Sequence, residues 1–113
     1  MVPPQIDSPE DVKIVTLAKA TRARAGAREG AAVRDLDGRS YTASTVDLPS
    51  VQISALSLAV AMAVSSGARG LEAAAVSTAD LEVDLAAVRD LGGTGVRVIC
   101  VDEGGTPQQV RTT

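Results

Sequence analysis

Between residues 8 and 102 the apolar positions change repeatedly between helical and extended spacing, with glycine, proline or acidic breaks between segments. Ser8-Pro9-Glu10-Asp11 predicts a helix start: a capping hydroxyl, proline at the first helical position, and acids where the helix dipole favours them. Val12, Ile14, Val15, Leu17 and Ala18 extend that amphipathic helix to about residue 25, and Gly26 ends it. Two runs, 31–34 and 40–46, flank Asp37-Gly38, a dipeptide that favours a hairpin turn, and so predict two antiparallel strands. After Leu48-Pro49, residues 50–66 are apolar almost all round (Val51, Ile53, Leu56, Leu58, Val60, Met62, Val64) and read as a helix capped by Gly67. A helix without a polar face needs cover on more than one side. In so small a domain a sheet supplies one side and a second subunit the other.

Residues 71–77 read as a strand, 80–91 as a helix ended by Gly92-Gly93, and 96–102 as a strand. The order α-β-β-α-β-α-β predicts a single α/β domain, a mixed sheet with helices packed on it. Residues 1–7 are expected to be a flexible arm, 8–102 the domain, and 103–113, polar apart from Val110, a flexible tail.

The chain has 113 residues, enough for one core, and its 45% hydrophobic and 22% charged content is that of a folded domain. Histidine is absent, Cys100 is the sole cysteine, and Tyr41 is the sole aromatic residue. Every mechanism needing an imidazole is excluded, as is a thiolate or imidazole zinc site within one chain, which takes about three or four such ligands. A disulfide framework is excluded too, and a lone thiol suits a reducing compartment. The net charge of -3 offers nucleic acid no global attraction, although residues 13–39 hold seven of the eleven cations and an excess of +4. The N-terminus lacks the basic and apolar regions of a secretory signal, and the apolar stretch at 53–64 falls short of the ~20 residues that span a bilayer. A cytoplasmic protein with no membrane segment is expected.

Three stretches together carry a family resemblance: Gly30-Ala31-Ala32-Val33, Asp37-Gly38-Arg39-Ser40-Tyr41-Thr42, and the run from Ile53-Ser54-Ala55-Leu56 through Ala63-Val64-Ser65-Ser66-Gly67. They are similar to the V-G-A-A, D-G-x-x-Y and I-C-A-E-R-x-A-[IL]-x-x-A-V-S-x-G patterns of the small zinc-dependent cytidine deaminases. The resemblance implies that fold and, position by position, a loss of its chemistry. The family's first zinc ligand falls on Ser54 and its general acid/base glutamate on Leu56. Its P-C-x-x-C, at the next helix start, falls near residues 80–84, placing Leu81 and Asp84 at the two thiolate positions. In that mechanism zinc makes bound water acidic and the glutamate shuttles its proton; no such carrier is present, so an inactive, cofactor-free relative is expected.

Of the ribose-binding N-V-E-N, Thr45 and Asp47 keep hydrogen-bonding capacity, while the aromatic residue beside the base falls on Ala27. The resemblance therefore leaves room for a nucleoside-binding sensor. It further implies subunit contacts, as a dimer or tetramer, through the helix that includes Val51 and Val64. Related actinobacterial chains suggest an Era-type GTPase or another ribosome-maturation factor as partner. Arg22, Arg24 and Arg28 could touch RNA phosphates, yet cations also suit a helix C-terminus and no aromatic platform accompanies them, so nucleic acid is not the expected ligand. Asp80, Glu82 and Asp84 could offer carboxylates to a divalent metal, but acids are expected at a helix N-terminus, and that is the reading preferred, with no metal site.

Overall fold

The computed structural model describes residues 5–113. Helix α1 (Pro9–Ala25) begins as its sequence requires: the Ser8 hydroxyl accepts from the Asp11 N–H at 3.4 Å, and Gly26 leaves the helix at φ 61°. Strands β1 (Gly30–Asp35) and β2 (Ser40–Ser44) follow, then the short hairpin β3 (Val46–Leu48) and β4 (Val51–Ile53), helix α2 (Ala55–Ser65), β5 (Leu71–Ser77), α3 (Ala86–Gly92), β6 (Arg97–Val101) and β7 (Pro107–Thr112). The main sheet runs β2-β1-β5-β6-β7, with β5 and β6 parallel and the other pairs antiparallel.

Alternate residues of the central strands feed two cores. Ala31, Val33, Ala74, Val76, Val98 and Cys100 face α2 and α3, whereas Ala32, Ala73, Ala75, Ile99 and Val101 face Ile14, Val15 and Ala18 of α1. Burial on both faces explains why these strands read as continuous small apolar runs. Alanine on the sheet also lets α1 approach closely. A Cβ on Gly30 would meet the backbone N of Arg22 at 2.6 Å and collide with the Ala18 carbonyl oxygen, so β1 can start there only with glycine.

Four expectations need correction. The apolar run does not form one helix over 50–66: Val51–Ile53 is a strand, paired Leu48↔Val51 and Val46↔Ile53, and α2 begins only after Ser54. Val51-Gln52-Ile53 is β-branched and alternating, and Pro49 sets the turn ahead of it. The helix expected at 80–91 is only Ala86–Gly92. The Asp80 and Asp84 carboxylates accept from the N–H groups of Glu82 and Ala86, both at 2.9 Å, and these local bonds hold the backbone in turns that compete with helix.

The flexible tail is instead partly β7, paired to β6 from Arg97↔Thr112 to Val101↔Pro107. The expected element order therefore gains β3, β4 and β7. Of the expected arm, residues 1–4 lie outside the described residues, while Ile6 packs partly against the α1 core.

Candidate functional site

At one end of the sheet, a cleft of about 420 Å³ opens between the α1–β1 connection and the β3–β4 hairpin, lined by Arg28, Glu29, Thr45, Asp47, Gln52 and Ser54 among others. Its frame is local and polar. Thr45 donates to the Glu29 carbonyl from its N–H at 3.2 Å and from its hydroxyl at 3.4 Å, tying the end of β2 to the start of β1. The Glu29 carboxylate accepts from the buried Thr78 hydroxyl at 2.7 Å, and that hydroxyl oxygen accepts from the Asp80 N–H at 2.9 Å. Asp47 stands opposite Gln52 in the hairpin register. Two carboxylates and one guanidinium give the cleft hydrogen-bonding capacity with an acidic balance.

Thr45, Asp47 and Ser54 are thus brought to one cleft, and Arg28, singled out only as a phosphate contact, joins them there; the other candidates do not. Ser54 caps α2, its hydroxyl accepting from the Ser57 N–H at 3.2 Å. Leu56, 1% exposed, points into the core shared by α2 and α3. Leu81 and Asp84 are exposed in the loop ahead of α3 rather than at a helix start. The residue at the helix start is Leu85, and the one three positions on is Val88; both are buried in the same cluster as Leu56. Glu29 and Gln52 were missed by sequence reasoning. Only their nearness to the Gly30 strand start and to the alternating Val51-Gln52-Ile53 pattern could have pointed to them.

Of the three arginines, Arg24 and Arg28 are exposed, whereas Arg22 is folded back, donating to the Ser77 hydroxyl at 3.3 Å with the Glu103 carboxylate 3.8 Å away. Tyr41 does not line the cleft. It donates to Asp35 at 2.8 Å, at the base of the β1–β2 hairpin.

The residues present do not fit the zinc ion that the resemblance implies. Around Leu56 the groups are hydrocarbon, the Ser54 hydroxyl is engaged as a cap, and Cys100 lies in β6 with its thiol pushed up by burial. Among the described residues, no group of three or more His, Cys, Asp or Glu side chains is placed to hold a metal ion. Nor is any of the described helices long and apolar enough to cross a membrane.

Three solved structures share this architecture. A cytidine deaminase from Burkholderia pseudomallei is 24% identical, with TM-score 0.69 and 89% of each chain covered. One from Mycobacterium leprae is 20% identical, with TM-score 0.69 and 94% of each chain covered. A mutant cytidine deaminase from Mycobacterium tuberculosis is 21% identical, with TM-score 0.68, covering 93% of this chain and 92% of that one. No curated protein matches the sequence. The family model described as cytidine deaminase-like matches residues 7–105, nearly the whole domain, and the chain belongs to that family.

Proposed function

We propose that this protein is a catalytically inactive cytidine deaminase-like domain, kept as an oligomeric or partner-binding scaffold. The observation that carries the reading is Leu56. At the position of the family's proton-shuttling glutamate stands a hydrocarbon side chain, 1% exposed, in one apolar cluster with Leu85 and Val88. Because α3 starts at Ala86, we assign the family's two thiolate positions, spaced C-x-x-C at a helix start, to Leu85 and Val88 in place of Leu81 and Asp84. On that assignment, three of the four catalytic groups have become core and the fourth, Ser54, a helix cap.

The scaffold role is supported by the outer side of α2. No residue of Ala55–Ser65 is charged, and Met62 and Val64 remain 42% and 53% exposed. A second copy or a partner such as an Era-type GTPase would cover apolar surface that water does not favour. The direct test is metal analysis of zinc-supplemented pure protein with a cytidine turnover assay. Stoichiometric zinc with release of ammonia would end the reading; neither is expected. Sedimentation gives the oligomeric state, and a clean monomer at high micromolar concentration that retains no partner would end the scaffold role.

The polar cleft favours one other reading, a nucleoside-binding sensor built on Thr45 and Asp47. A thermal shift with a nucleoside panel, abolished by Asp47→Ala, would support it. An unchanged melting curve at millimolar ligand would dismiss it.

A further inference from the structure

We propose that the joint between α2 and α3 is a metal-independent hydrocarbon clamp, in which Leu56, Leu85 and Val88 fix the two helix starts over the sheet and the chain folds without any bound cation. The inference rests on the proposed assignment of Leu85 and Val88, and it concerns folding rather than turnover.

Helix α3 shows the need for a clamp. It has seven residues and no side-chain cap hydrogen bond at Leu85, and a helix that short does not persist in water by itself. Something must hold it. The contacts available are apolar: Val83, Leu85 and Val88, at 8%, 6% and 0% exposure, lie in one cluster with Leu56, Ala59 and Val60 of α2 and with Val76 and Cys100 of the sheet.

The polar groups around the joint are satisfied from within the chain as well. Ser54 caps α2. Ahead of α3, the Leu81 carbonyl accepts from the Gln109 side chain at 3.3 Å and the Val83 carbonyl accepts from the Arg111 guanidinium, so β7 ties down the loop 80–85. Each task a cation could perform there, fixing a loop and joining two helix starts, already has an agent among these residues.

The test is thermal unfolding of the full chain as purified, with excess EDTA, and with excess zinc chloride, alongside equilibrium dialysis against zinc. The three midpoints are expected to coincide and the dialysed protein to retain no stoichiometric metal. A cation bound at a hundred times its dissociation constant would separate the EDTA and zinc curves by on the order of 10 °C, and such a gap would overturn the proposal. Leu56→Ala and Val88→Ala are each expected to lower the midpoint equally with and without zinc; recovery on adding zinc would also overturn it. If either variant fails to fold, the curves of the unaltered chain still decide. Zinc-dependent melting without deamination would sink the clamp and leave the inactivity reading standing, whereas deamination with coincident midpoints would do the reverse.

Discussion

The two faces of the main sheet carry their helices by different means. On one face α1 is held by Ile14, Val15 and Ala18 together with a charged clamp. Asp11, 2% exposed, receives the Arg34 guanidinium at 3.0 Å and that of Arg97, and so ties the first turn of α1 to β1 and β6. Arg34 also reaches Glu72 at 3.3 Å, yet its buried Nη1 finds no partner. On the other face, among the described residues, α2 and α3 pack on the sheet without an ion pair, through an apolar cluster that includes Leu56, Leu85 and Val88, while β7 side chains hold the loop ahead of α3.

The difference teaches where charge can be spared. A buried ion pair offsets a large desolvation cost only through good geometry, and well-packed apolar residues serve as well or better. The α2–α3 face carries the apolar solution, and on the assignment proposed above it does so where the zinc mechanism would call for carboxylate and thiolate.

Putting charge into the apolar face should give the largest effect. Leu56→Glu would place an unpaired carboxylate in the core and is expected to cost about 3–5 kcal/mol or prevent folding, measured by urea denaturation. Only a small loss would mean that a polar or solvated pocket persists there. Removing charge from the opposite face comes next. Asp11→Ala leaves the half-buried Arg34 only the exposed Glu72 as an ionic partner and should cost about 3 kcal/mol, with the half-exposed Arg97 relieved by solvent. A neutral result would show that the clamp orients α1 without stabilising it.

A smaller, pH-dependent effect is expected at the β1–β2 hairpin. Burial pushes the Asp35 carboxyl up, but bonds from the Tyr41 hydroxyl and from the Arg39 and Asp37 N–H groups more than offset it and hold it below its ordinary value of 3.8. A depressed folded value stabilises the native state above the unfolded one, and that contribution is lost as pH falls through the folded value. The stability gap between the unaltered chain and Asp35→Asn should therefore be widest near neutrality and close below about pH 4. A gap independent of pH would show that the hydrogen-bond count, not the charge, matters.

The smallest effect on folding belongs to the outer side of α2. Met62→Lys and Val64→Glu should change stability by within about 0.5 kcal/mol while dissociating any oligomer in sedimentation. Unaltered association would place the subunit contact elsewhere.

The hairpins show how legibility depends on context. Asp35-Leu36-Asp37-Gly38-Arg39 was readable as a turn because strand-like residues flank it on both sides. Asp102-Glu103-Gly104-Gly105-Thr106 makes the same turn: in both, the leading Asp N–H donates to the carbonyl four residues on, its carboxylate accepts from that residue's N–H at 2.9 Å, and the fourth residue is a glycine, at φ 83° or 85°. The second falls where the polar composition of 103–113 predicts a flexible tail, because β7 reverses the usual alternation. Gln109 and Arg111 turn inward to bind loop carbonyls, while Val110 stays exposed. The cleft was half legible: Thr45, Asp47 and Ser54 came from the resemblance, but Glu29 matters there only because folding brings Thr78 against it.

What the sequence by itself determined is chemical. With no histidine and a single cysteine, imidazole catalysis and a zinc site of several thiolate or imidazole ligands within one chain were closed whatever the fold, since side chains that are absent cannot be supplied by geometry. Capping at Ser8 and Gly26 and the turn at Gly38 were likewise local, set by a few neighbouring dihedral angles and bonds. Only the tertiary structure decided where α3 begins, and with it that Leu85 and Val88, not Leu81 and Asp84, stand at its start. Seven residues cannot choose helix alone, and the choice came from packing against α2 and from the β7 side chains that hold the preceding loop.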